Sequence, residues 1–171
     1  MAKELNLERP EGIVHRSLSG SIQRKRMDGD ADDVYRYEFK ASSDAAVEMW
    51  RGTFEVLDHS TEAVRLDWLA SGNAPALGMH NRYDQVGIVE SARIDGSHII
   101  VVVRMSASQT DLIRDIEDGI VKNVSIGYRI HDEHVSERQH DDNGNTTRTS
   151  SYNYNSVRVV SMITRRLTTV F

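Results

Sequence analysis

Apolar and polar residues alternate over several short stretches, and that period of two predicts β-strands. The stretches are Val34–Phe39, Gly52–Leu57, Val86–Ile94, His98–Met105, Asn123–Ile130 and Ser156–Ile163. Asp95-Gly96 between the third and fourth is a hairpin signal, and Gly72-Asn73-Ala74-Pro75 marks a turn. One stretch has helical period instead. Between Ser108 and Gly119, Leu112, Ile113 and Ile116 form an apolar stripe that Ile120 extends, with Asp111, Arg114, Asp115, Glu117 and Asp118 opposite. Ser108 or Thr110 can cap this helix and Gly119 can end it. Ser60–Leu69, with Val64, Leu66 and Leu69 among charges, predicts a second, short helix. Strands in runs rather than alternating with helices predict a mainly β, mostly antiparallel domain with flanking helices, an α+β fold.

The apolar pattern starts late. Residues 1–33 are polar and charged, with Ile13-Val14 as the apolar doublet and Arg24-Lys25-Arg26 followed by Asp28, Asp30, Asp32 and Asp33. Such a segment buries too little to offset its ordering entropy, so it reads as a flexible N-terminal arm or a loosely attached first strand before a domain spanning 34–171. The basic triplet could meet an acidic partner, but a solvated charge run is the simpler reading. His131–Tyr154 is polar around Asp141-Asp142-Asn143-Gly144-Asn145 and reads as a long exposed loop or an extended hairpin tip.

Composition narrows the chemistry. The 171 residues contain no cysteine, which removes disulfide frameworks, thiol nucleophiles and thiolate metal sites. Lys and Arg number 21 against 26 Asp and Glu, a net charge of -5, which disfavours direct nucleic-acid binding through a general phosphate-contacting surface. No apolar run reaches the roughly 18 residues of a membrane span. There is no glycine-rich phosphate loop and no internal repeat.

A nucleophile must then be Ser, Thr, Lys or a carboxylate. Ser125 lies inside an apolar strand two residues before Gly127, where a small neighbour leaves room for a substrate carbonyl. Among seven histidines, His80 ends the apolar approach Pro75-Ala76-Leu77-Gly78-Met79, a reasonable place for a general base. As isolated residues both are more simply structural. His131, His134 and His140, with Asp132 and Asp141, could be read as metal ligands, but a solvated loop is the better reading. Arg165-Arg166 could bind an anion or could be surface charge.

Several of these pieces occur together in one family. Phe54-Glu55-Val56-Leu57-Asp58-His59-Ser60, Val64-Arg65-Leu66-Asp67-Trp68-Leu69 and Gly72-Asn73-Ala74-Pro75-Ala76-Leu77, with His80, resemble the amino-terminal half of tailed-phage prohead serine proteases. The likeness continues through Gln85–Glu90, Val103–Ser106, Asp115–Ile120 and Asn123-Val124-Ser125-Ile126-Gly127-Tyr128, and spans roughly Tyr35 to Ile163. It implies a small, mostly antiparallel β-barrel similar to the herpesvirus assembly proteases. It also implies a serine endopeptidase that cleaves scaffold and capsid-protein segments, and commonly itself, inside the immature head in the host bacterial cytoplasm. Its substrates would be the major capsid protein and scaffold segments, with no metal or cofactor and with self-association left open.

Carried onto this chain, the resemblance makes Ser125 the nucleophile and His80 the base. Where many relatives have a Trp-Glu pair in the last strand, this chain has Asn155-Ser156, so the usual acid is missing and Ser156 is the candidate third member. The looser herpesvirus comparison puts oxyanion stabilisation near Thr164, Arg165 and Arg166. Relatives usually run on past the last strand, whereas this chain stops at Phe171, as an autoprocessed form or a shortened variant of a fused protease–capsid polypeptide would. The missing acid supports the competing reading: a catalytically weak or inactive protease-like domain serving as a capsid-assembly or scaffold-binding module.

Overall fold

The computed structural model describes residues 14–19, 22–50, 53–138 and 147–163. Ten strands and two short helices follow in the order β1 (Val14–Ser19), β2 (Gln23–Lys25), β3 (Tyr35–Ser43), β4 (Val47–Trp50), β5 (Thr53–Asp58), α1 (Asp67–Ala70), β6 (Pro75–Gly78), β7 (Gln85–Asp95), β8 (His98–Met105), α2 (Thr110–Glu117), β9 (Asn123–Arg138) and β10 (Thr147–Ile163). They form one sheet in the order β1-β9-β10-β6-β7-β8-β3-β2, with β5 added to β10 and β4 to β5. The pairings are antiparallel except where β10 runs parallel to β5 and β6. The mainly β fold with flanking helices is therefore what the sequence predicts.

The expected barrel is not closed. Among the described residues no ladder joins the two ends of the path. The reason is that β1 and β2 are consecutive pieces of one segment, the first paired with β9 and the second with β3. The sheet is nonetheless strongly curled. Residues 20–22 can span only about 14 Å, while eight strands laid flat extend over about 34 Å. Bulges supply the curl. β3 has an extra residue between Lys40 and Ser42, and β7 has one between Val89 and Ser91.

β10 is the spine. Its first half pairs with β5 and its last residues with β6, so β5 and β6 lie end to end along it, interrupted by the excursion that carries α1. Between the halves β10 is irregular at Tyr154–Ser156 and Val157–Val159. Glu55 stands opposite Ser150 on β10 and Tyr128 opposite Val157, about 23 Å apart along a straight strand. Yet the Tyr128 hydroxyl donates to Glu55 Oε1 at 2.6 Å, with both residues fully buried. Only a β10 sharply bent at its irregularities brings them together.

The core is lined by Tyr37, Phe39, Leu57, Leu69, Val89, Ile99, Val101, Val103, Ile126 and Tyr128, and α2 adds Ile113 and Ile116. Leu112, predicted on the same face, is half-buried. Gly119 (φ 68) ends α2 as predicted: its N–H donates to Ile116 O and that of Ile120 to Asp115 O, the paired bonds of a Schellman stop. The N-cap is Gln109, not Ser108 or Thr110, and makes no side-chain cap bond. The helix predicted from Ser60 is a turn at Ser60–Val64 followed by the single turn of α1, because a nucleus this short does not propagate against the pull of buried Val64 and Leu69.

The basic triplet is engaged internally. Arg24 pairs with Glu117, Lys25 with Glu38 and Arg26 with Asp32. Beside it, Arg36 and Arg104 face each other across β3 and β8, and Glu90 from the β7 bulge accepts hydrogen bonds from both. Asp30 also accepts from Arg36. Burial acts to raise the Glu90 pKa, but the bonds from Arg36 and Arg104 outweigh it and hold the carboxyl below its ordinary 4.5. A depressed folded-state pKa contributes stability that is complete above the unfolded value and is lost as pH falls through the folded one. The urea midpoint should therefore be flat down to about pH 5.5 and fall below about pH 4.5, and Glu90→Gln should flatten that acid limb. A limb of equal slope in the variant would rule out Glu90 as its source.

Candidate functional site

Ser125 is the second residue of a five-residue stretch of β9, Val124–Tyr128, buried throughout. β9 is flanked there by ladders on both sides: Ser125 is opposite Ser17 of β1 and Ser161 of β10. The serine is 0% exposed.

His80 reaches it from the turn after β6. Asn81 N–H donates to Gly78 O at 2.8 Å, and the two residues between, Met79 and His80, both have positive φ (53° and 59°). Two consecutive left-handed residues define the tight turn that prefers Asn-Gly, so Met79 and His80 are held in a strained conformation. The turn folds the ring back over the sheet, and His80 Nε2 lies 2.9 Å from Ser125 Oγ. The hydroxyl donates when the imidazole carries its proton on Nδ1. At the base of the turn, a Cβ on Gly78 would lie 2.0 Å from Asp84 Oδ2, the end of an exposed side chain. Met79 is exposed, so its backbone strain can be relieved without touching the core. Met79→Gly should raise stability by about 0.5–1 kcal/mol, the left-handed penalty removed less the added freedom of the unfolded chain. A lowered urea midpoint would contradict that account.

The sequence thus named two residues, 45 positions apart, that the structure brings into a hydrogen bond. A serine–histidine bond alone assigns no reaction. The same fold makes a second one: His59 Nδ1 donates to Leu57 O at 2.8 Å, which leaves the Nε2 lone pair to accept from Ser42 Oγ at 3.1 Å. Ser42 and His59 are buried at 2% and 7% exposure. There the pair ties the bulged end of β3 to the end of β5.

The other candidates fall differently. Ser156 stands opposite Arg129, four residues along β9 from Ser125 and so about 13 Å away along the strand. Ser161, not Ser156, occupies the register place beside Ser125. Glu90 is engaged by Arg36 and Arg104. Thr164, Arg165 and Arg166 lie outside the described residues, as do His140 and Asp141. His131 and His134 are in β9, where a helical i, i+3 spacing has no meaning, and no group of three His, Asp or Glu among the described residues could hold a metal ion. No described helix is long and apolar enough to cross a membrane. Sequence reading missed Ser17, Ser161 and the buried Glu55–Tyr128 pair. The signal for that pair was a glutamate at an inward position of an otherwise apolar strand.

No family model matches the chain, and no solved structure matches it. A stretch covering 52% of this chain is 43% identical, over 94 aligned residues, to the major capsid protein of Halomonas phage phiHAP-1. That stretch is 15% of the capsid protein, so the chain spans a small part of its relative's length. The relationship supports a connection with the phage head without singling out a prohead protease. It corrects the expectation of a serine endopeptidase, because the relative is named as a major capsid protein, a structural protein, and not as a protease. The chain is related to a phage head protein.

Proposed function

We propose that the chain is a capsid-assembly module of a phage head, a protease-like domain that binds capsid or scaffold segments without cutting them. Its setting would be the head as it forms in the host bacterial cytoplasm. The observation that carries this reading is the 43% identity to a major capsid protein. The burial of Ser125 supports it: a serine at 0% exposure, inside a strand paired on both sides, offers no open face to a peptide carbonyl. His80 then serves as a packing partner that fixes the Met79–His80 turn to β9.

The test is to mix the purified chain with the purified major capsid protein of the same phage and follow assembly by sedimentation, with mass spectrometry of both proteins. Co-sedimentation with both chains intact is expected. New chain termini, or covalent labelling of Ser125 by a fluorophosphonate that Ser125→Ala abolishes, would overturn the reading. So would failure to co-sediment.

A further inference from the structure

β1 and β2 end the hydrogen-bonded path on opposite sides, although residues 20–22 alone separate them. Strand directions followed along the path, antiparallel at each step except β10 to β6, give β1 and β2 the same direction. The first half of this segment, β1, is thus laddered to β9 and the second, β2, to β3. The half on β9 is held by one six-residue ladder, Val14↔Tyr128 to Ser19↔Asn123. Its sequence, Val-His-Arg-Ser-Leu-Ser, offers two aliphatic side chains for burial. β8, by contrast, is laddered on both sides and buried from Ile99 to Val103. Few apolar groups and a single ladder mark a weakly held strand of a sheet.

We propose that β1 is an exchangeable strand: it leaves β9 as a unit, and the vacated edge at residues 123–128 accepts residues 14–19 of a second copy of this chain. The occupant is named by the ladder itself, since every backbone bond that β1 makes within one molecule is available unchanged between two. The hinge favours the exchange. β1 ends at Ser19 on β9 and β2 begins at Gln23 on β3, and so short a connection between two edges promotes swapping. The inference stands apart from capsid binding, because it concerns only contacts between copies.

The chain has no cysteine, which makes the test clean. Ser19 and Asn123 are directly opposite, at a Cα separation that a disulfide can span. One population of the full chain carries Ser19→Cys alone and a second carries Asn123→Cys alone. They are mixed, incubated and oxidised. A disulfide between the two variants forms efficiently only if the strand of one copy sits on β9 of the other. The mixed dimer should exceed either same-variant dimer by about tenfold, as expected for a pre-associated pair over random collision. An excess of a synthetic peptide of residues 12–21 should suppress it by a similar factor. A statistical distribution of the three dimers, no disulfide at all, or a yield indifferent to the peptide would each overturn the proposal.

Discussion

Gly87→Ala should lower stability by about 3 kcal/mol, near the upper end for adding a methyl group to a packed interior. A Cβ at Gly87 would lie 2.4 Å from Arg104 O and 3.0 Å from Met105 Cα. Both are backbone atoms of β8 and cannot rotate away as a side chain would. Gly87 is also paired on its other side with Ala76 of β6, so β7 cannot shift to make room without breaking one ladder or the other. In thermal unfolding this loss corresponds to a Tm lower by about 6–12 °C for a chain of this size. Gly78→Ala is the informative comparison. The clash there is with the exposed carboxylate of Asp84, which can swing into solvent, so a clearly smaller loss is expected. Equal losses at the two glycines would show that β8 is not rigid behind Gly87.

Tyr128→Phe should cost about 2 kcal/mol, the range for removing a hydrogen bond to a buried carboxyl group. The hydroxyl at 2.6 Å from Glu55 Oε1 is shielded from water, and the phenyl ring preserves the packing of the core. A second readout separates this bond from a general loss of packing. It joins β9 to β5 across the bend of β10, so amide exchange in β5 should accelerate in Tyr128→Phe more than in β7 or β8. A uniform acceleration would show that the bond does not hold the bend.

The legible parts of this fold are those with a strong local pattern. β8 was readable because Ile99–Val103 is an unbroken aliphatic run, and the β7–β8 hairpin because Asp95-Gly96 meets the need for positive φ at Gly96. β2, β4 and β6 were not predicted as strands, and β1 only as one of two readings of residues 1–33. Each is six residues or shorter, and what keeps it extended is its partner rather than its own alternation: β3 for β2, β5 for β4, β7 and β10 for β6, and the distant β9 for β1. β9 and β10 continue well beyond their apolar halves, because each polar half is extended by pairing with the other. The candidate site divides in the same way. Ser125 and His80 could be named from short motifs, but the register that puts Ser161 beside Ser125 and Ser156 beside Arg129 depends on the irregularities of β10, which no local pattern announces.

The order of synthesis gives the spine a kinetic meaning. β5 and β6 leave the ribosome long before β10, the strand that aligns them end to end, and residues 14–19 precede their partner on β9 by more than a hundred positions. The pairings of consecutive strands, β2 with β3, β4 with β5, β6 with β7 and β7 with β8, together with β3 against β8, can assemble early. Until the last strands emerge, the growing chain carries residues 14–19 and the β10-facing edges of β5 and β6 unpaired, and pairings this distant in sequence close slowly. That interval is when strands from neighbouring copies compete most directly for the same ladders.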